Sequence, residues 1–335
     1  MTTDLHTSPT SAPPPAEDRP NLVEFAKRHW TTIAPIATLI LLIIAFTLVD
    51  GRFLRQENAM NILRQSAVLL ILATASTVVI LMGSIDLSVG SILTFTAFSG
   101  ALMVQYTGIS ALLLLLPLIG MACGLFNGLV IAYGRLPSFL VTLGTLYAFN
   151  GLASYMAGGT PVPLADGGFV NLFTGTFLGL PVIALWAILV LVVAIIVARN
   201  TRLGRYLYAL GGNEKTSRLS GVPVLRYKVY AFMISGFLVG IAGLLQLVRA
   251  KSASPDMGEP FLLPAIAAVV MGGTPLSGGI GGPLRTVTGV LIIAILGNGM
   301  VIAAVDPFLQ NVVQGLVVIA AVALTMDRRK MTLVK

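Results

Sequence analysis

The sequence predicts an all-α polytopic membrane protein, a bundle of about 10 transmembrane helices. Three observations carry the prediction. Of 335 residues, 56% are hydrophobic and only 10% are charged, against roughly 25% charged in soluble domains. The apolar residues form continuous blocks of spanning length, and a bilayer core needs ~20 apolar residues per helix. Lipid offers the backbone no hydrogen bonds, so spans are helices or a closed barrel, and continuous rather than alternating blocks exclude the barrel. Finally, the basic residues fall unequally between the connecting segments, as the positive-inside bias requires.

Residues 1–28 read as a disordered N-terminal tail, with Pro13, Pro14 and Pro15 beside Ser, Thr and Glu17. The tail lacks the basic, apolar and small-residue regions of a signal peptide. The membrane domain covers 29–327, and 328–335 form a C-terminal tail. Within it the spans are 31–49, 63–82, 88–105, 109–133, 138–157, 181–198, 229–248, 261–274, 284–303 and 308–326, the eighth short and interrupted by Pro264. An even number of crossings puts both termini on one face, the cytoplasmic one. Of 21 Lys and Arg residues, only Arg52, Arg55, Arg64, Arg249 and Lys251 then fall outside.

Two internal matches stand out. Asn127-Gly128-Leu129-Val130-Ile131-Ala132 is similar to Asn298-Gly299-Met300-Val301-Ile302-Ala303 at an offset of 171. Met82-Gly83 and Met271-Gly272 match at 189, which is incompatible with one simple repeat. An inverted repeat, a common transporter plan, and chance similarity between apolar segments are both open.

The long polar loop 199–228 carries Arg199, Arg202, Arg205, Lys215, Arg218, Arg226 and Lys228 against Glu214 alone. It contains a short helix with marked ends. Asn213 caps it, Glu214 suits the first turn, Gly221 takes the left-handed position after it and Pro223 stops it. Two turns seldom persist alone in water, so this helix is either a surface piece of a basic loop or a docking element. Gly83-Ser84-Ile85-Asp86-Leu87-Ser88-Val89-Gly90 holds a lone carboxylate between two apolar runs. Asp86 is either a functional group at membrane depth or the cap of the third helix. The turn 272–282 is rich in glycine but lacks the Gly-Lys-Ser/Thr of a phosphate loop, so the chain shows no nucleotide site of its own. One cysteine, Cys123, with His6 and His29, cannot make a disulfide or a metal cluster. No paired carboxylates or Ser/His constellation supports an enzyme.

Taken together, residues 83–91, 136–146, 203–228 and 265–282 resemble the ribose-type sugar ABC transporter permeases, over about 35–326. Ser84 replaces a usual glycine, and Leu262 and Pro264 stand where many ribose-like members carry Glu and Asp. The resemblance implies a non-catalytic permease subunit of the bacterial inner membrane. It pairs with a second permease copy, a cytoplasmic ATPase that uses ATP and Mg, and a periplasmic sugar-binding protein. It implies no cofactor or metal on this chain and no nucleic acid. It also implies that 203–228 is the segment seated on the ATPase, with Gly204, Arg205, Asn213, Glu214, Lys215, Arg218 and Gly221 as coupling residues. A neutral monosaccharide or polyol needs no charged relay in the lining, and the pathway candidates are the groups at the breaks and in the spans, Gly83, Asp86, Ser88, Gly90, Asn127 and Asn298. The rival readings are an ion-coupled secondary transporter using Asp86, or the same importer class carrying a furanose signal molecule or a branched-chain amino acid.

Overall fold

A computed structural model of the chain describes residues 22–165 and 168–325. Residues 1–21 of the expected N-terminal tail and all of 328–335 therefore lie outside the described residues, while 22–28, expected as tail, are the first turns of a helix. The described chain is helical nearly throughout, with twelve α-helices. These are α1 (Leu22–Val49), α2 (Gln56–Leu81), α3 (Val89–Thr107), α4 (Leu116–Gly134), α5 (Ser138–Met156), α6 (Val182–Asn200), α7 (Arg202–Gly212), α8 (Glu214–Leu219), α9 (Val224–Ala250), α10 (Glu259–Met271), α11 (Pro283–Ile302) and α12 (Pro307–Thr325). Ten of them correspond to the ten expected spans. Six segments are long and apolar enough to cross a bilayer by length and composition: α2, α3, 110–134, α6, α9 and α11. The apolar stretches of α1, α10 and α12 are shorter. Two pairs of two-residue strands were not foreseen; β1 (Val162–Pro163) pairs with β4 (Ser252–Ala253), and β2 (Thr176–Phe177) with β3 (Leu180–Pro181).

The central seam joins α4 to α9. Gly120, Gly124 and Gly128 recur every fourth residue on one face of α4, opposite Gly240, Gly236, Phe232 and Val229 of α9. Without side chains the two backbones come into contact, which substitutes for a hydrophobic drive that lipid does not provide. A Cβ on Gly124 would overlap the Phe232 carbonyl, and one on Gly236 the Gly120 carbonyl. Around this seam α2, α3 and α9 bury Ile71, Leu72, Ile92, Leu93, Phe98, Leu245 and Leu247 completely.

The order α2, α3, α4, α5 recurs as α9, α10, α11, α12, each helix starting 167 to 170 residues after its counterpart. The two sets run in opposite directions. Leu81 at the end of α2 and Val224 at the start of α9 pack in one cluster. The offset of 171 between Asn127 and Asn298 fits this succession, being α4 against α11. The offset of 189 does not, because it would set the end of α2 against the end of α10.

Charge divides the ends of the bundle. Arg135, Arg199, Arg202, Arg205, Lys215, Arg218, Arg226, Lys228 and Arg285 belong to the end where α2, α4, α6 and α10 finish, with Glu214 the one acid described there. The opposite end carries Asp50, Glu57 and Asp306 beside Arg52, Arg55 and Arg64. Arg52 and Asp50 form an ion pair at 2.7 Å. The Arg52 side-chain hydrogen bond holds the Asp50 carboxyl below its ordinary pKa. The arginine cluster on the minority side is therefore partly neutralised.

The seam yields a direct test. Gly236→Val should lower stability by about 3 kcal/mol, the upper range for forcing atoms into a filled core. Gly144→Ala, with nothing within 4 Å of the added carbon, should leave the detergent unfolding midpoint unchanged.

Candidate functional site

The chain between α2 and α3 abandons helix at Met82 and resumes it at Val89. Such a break frees backbone groups that lipid cannot satisfy, and neighbouring side chains take them up. The Ile85 N–H donates to Ser138 Oγ at 3.2 Å and the Leu87 N–H to Thr142 Oγ1 at 3.1 Å. Both acceptors come from α5, which accounts for the buried Thr142 in a helix that is otherwise largely apolar. The Ser88 N–H donates to Asp86 Oδ1 at 2.9 Å, as does the Ser88 hydroxyl at 2.5 Å. Asn127 Nδ2 of α4 donates to Ser88 Oγ at 2.8 Å. Asn127, Ser88 and Asp86 thus form one relay, all buried. Asp86 Oδ2 and Asn127 Oδ1 make no hydrogen bond among the described residues.

Asp86 accepts the Ser88 N–H just ahead of α3, whose cap position is Ser88 itself, and its carboxylate is buried at 3% exposure. Gly90 joins it for steric reasons. It meets the Gly258 carbonyl at the start of α10, where the Gly258 N–H donates to Thr94 Oγ1 at 3.0 Å. Two helix starts therefore abut inside the bundle. In the second set of helices Asp256-Met257-Gly258 stands where the first has Asp86-Leu87-Ser88. Glycine removes the hydroxyl, Asp256 is exposed, and Asn298 Oδ1 makes no hydrogen bond among the described residues. Asn298 lies on α11 beside Gly299, which packs on Phe46 of α1. The structure thus gathers Asp86, Ser88, Gly90 and Asn127 and leaves Asn298 elsewhere.

The turn 272–282 closes on the same region. The Gly279 N–H donates to the Leu81 carbonyl at 2.9 Å, and the Gly282 N–H to Thr274 Oγ1 at 3.0 Å. A Cβ at Gly83 would lie 3.0 Å from the Ser277 carbonyl. Helix α7 is wedged here. A Cβ at Gly211 would collide with the Leu81 carbonyl and with Gly279 N, and the Tyr208 hydroxyl donates to the Gly281 carbonyl at 2.9 Å. Burial raises the Tyr208 pKa against the opposing charges of Arg199 and Arg285, so the hydroxyl remains a donor at neutral pH.

A family model described as the permease component of a branched-chain amino acid transport system matches residues 58–322. The chain belongs to this permease family. It is 40% identical over 302 residues to the ribose import permease of Bacillus subtilis strain 168, covering 89% of this chain and 93% of that protein. It is 33% identical to the galactose/methyl galactoside import permease of Haemophilus influenzae (82% and 88% covered), and 35% identical to the D-allose transport system permease of Escherichia coli K12 (81% and 84%). No solved structure matches it.

In this permease the loop 199–228 is two helices rather than one. The Thr201 hydroxyl accepts from Gly204 N at 3.3 Å and starts α7. Leu203, Leu207 and Leu210 turn inward while Arg202 and Arg205 face out. Asn213 ends α7, and its Oδ1 accepts from Thr216 N at 2.9 Å to cap α8. Gly221, at φ 83°, follows α8. Glu214 bridges Arg218 at 3.1 Å and Lys228 of α9 at 2.9 Å, so it pins α8 to the bundle. Gly204 packs against the Ala198 carbonyl, letting α7 turn away from α6. Lys215 and Arg218 remain exposed, with Leu219 at 82% exposure beside them. Sequence reading passed over α7, Gly211 and Leu219. The Leu203–Leu207–Leu210 spacing after Thr201 was the available signal for α7.

Ser88→Ala would strip the shared partner from both Asp86 and Asn127. The expected loss is about 1–3 kcal/mol, the cost of stranding buried polar groups, seen as a lower unfolding midpoint. Lys215→Ala, on the exposed face of α8, should stay within about 0.5 kcal/mol of wild type.

Proposed function

We propose that the chain is the membrane-spanning subunit of a binding-protein-dependent ABC importer in the bacterial inner membrane, moving a monosaccharide from periplasm to cytoplasm. The ribose, galactose and allose permeases among its relatives support the substrate class over a branched-chain amino acid. The basic end is the cytoplasmic one, following the positive-inside bias, and ten spans place both termini there. A second permease copy completes the pathway. A periplasmic sugar-binding protein docks at the opposite end, and a cytoplasmic ATPase supplies the ATP and Mg chemistry.

The observation that carries this reading is the unbroken chain of contacts from α8 to the interior. The exposed face of α8, with Lys215, Arg218 and Leu219, offers the ATPase a charged rim around an apolar knob. Glu214 and Asn213 make α8 and α7 one rigid piece with the start of α9. Gly211 and Tyr208 connect that piece to the turn 272–282, and Gly279 connects the turn to the end of α2 at the break. A push on α8 is carried to the backbone of 82–88 through these contacts. The helices α2–α5 and α9–α12 are arranged as inverted repeats, and rocking of this subunit against the second permease copy opens the pathway alternately to each side. Spans nearly free of charge suit a neutral sugar. Asp86, Ser88, Gly90 and Asn127 lie at the moving break, and Gly83 at its hinge.

In proteoliposomes holding the full complex, uptake of labelled ribose, galactose or allose should depend on ATP and exceed leucine uptake at least tenfold. Sugar uptake that persists without the ATPase under a pH gradient would replace this reading with ion coupling through Asp86. Gly211→Val should wedge α7 off the Leu81–Gly279 contact, cutting uptake more than tenfold while ATP hydrolysis continues. Equal loss of both activities would remove the mechanical link from the account.

A further inference from the structure

A cavity of about 830 Å³ opens at the basic end between the foot of α4, the turn into α5, α8 and the first turn of α9. Its floor is apolar, formed by Ile131, Ala132 and Val224. Around it stand Arg135, Arg218, Arg226 and Lys228. Glu214 is the one acid in the lining, and its two oxygens are already engaged by Arg218 and Lys228. Arg135 and Arg226 form no ion pair among the described residues. Both α5 and α9 begin here without a side-chain cap, so the positive ends of two helices add to the field. The site is built for a negative charge.

The same cavity is also built for hydrocarbon. Tyr133, Leu136 and Leu225 line it and are 61%, 50% and 40% exposed. From Tyr133 the exposed face continues up α4 through Leu129 and Phe126, three and four residues apart. Tyr230 lies one turn beyond Arg226 on α9 and is also exposed. Tyrosines beside basic groups mark the headgroup level of a bilayer. A soluble anion or an acidic peptide would satisfy the arginines and leave this apolar track uncovered. An amphiphile satisfies both.

We propose that this cavity binds the headgroup of an anionic phospholipid of the inner leaflet. Arg135 and Arg226 hold the phosphodiester, and an acyl chain lies along Tyr133, Leu129 and Phe126. Since Glu214 and Arg218 line the same cavity, a bound lipid braces α8 against α4 and α9. The inference rests on the basic end facing the cytoplasmic leaflet and is independent of the cargo. A failure of sugar uptake would leave the lipid result untouched.

The test titrates the purified full-length permease, in neutral detergent, with phosphatidylglycerol, phosphatidylcholine or inorganic phosphate and follows the unfolding midpoint. Phosphatidylglycerol should raise the midpoint saturably, and the other two should not. The double variant Arg135→Gln/Arg226→Gln should need about 25-fold more phosphatidylglycerol, since each basic group near an anionic surface contributes roughly a factor of five. Arg135→Lys/Arg226→Lys should retain most of the response, and Arg52→Gln at the far end all of it. The proposal fails if phosphatidylcholine or phosphate reproduces the shift, or if the double variant responds like wild type. It also fails if that variant keeps its lipid response but no longer binds the purified ATPase subunit, which would assign the cavity to an acidic segment of that protein.

Discussion

The constraint on which this structure depends is that a backbone surrounded by hydrocarbon must satisfy its own hydrogen bonds. Continuous helices meet it automatically. The chain nevertheless interrupts its helices at 82–88, where α2 ends beside α7, and at 251–258, where Lys251 and Asp256 are exposed, and each interruption needs local compensation. At the first, Asp86 turns onto Ser88, and Ser138 and Thr142 of α5 take up two more N–H groups. At the second, a two-residue strand pair and Thr94 serve the same purpose. Asp86, Ser138, Thr142 and Thr94 are thus placed by backbone need first, and whatever they do for a passing solute is built on that arrangement.

Polar and glycine-rich packing divide the labour. Where the chain breaks, hydroxyl and amide groups hold it. Where helices must touch, glycine lets them. The turn 272–282 combines the two, with glycines letting it reach the end of α2 and α7 while Thr274 fastens its far end. Because α7 is amphipathic and anchored through Leu207 and Leu210, one of its faces is part of the core. The segment 199–228 is therefore an extension of the bundle, not a loop tethered to it.

All ten expected spans were legible as helices, because apolar blocks and the absence of hydrogen-bonding solvent leave the chain few choices. So was α8, whose Asn213, Gly221 and Pro223 are local signals with local consequences. Their ends were less so. Helix α2 starts at Gln56 rather than 63, and α9 at Val224 rather than 229, since polar first turns outside the apolar block carry no hydropathy signal. The junction of α7, the glycine turn and the end of α2 was not legible either. It joins residues near 81, 211 and 279, and its central residue has no side chain to betray a contact. Asp86 posed a third kind of difficulty. Its type and position allowed a cap or a buried functional group, and the relay through Ser88 to Asn127, 39 residues away, is a tertiary contact that no local signal carries.

The seam between α4 and α9 has a consequence for how such a protein responds to mutation. Side-chain contributions are usually read by truncation, with alanine as the blank. At Gly120, Gly124, Gly236 and Gly240 there is nothing to truncate, and alanine is itself an insertion. A scan by deletion would pass over the contact that joins the two halves of the molecule, while a scan by addition would find it immediately. Natural drift meets the same asymmetry. The lipid-facing positions tolerate almost any apolar residue, whereas the seam tolerates only one, so the least chemically distinctive residues in the chain are among the least replaceable.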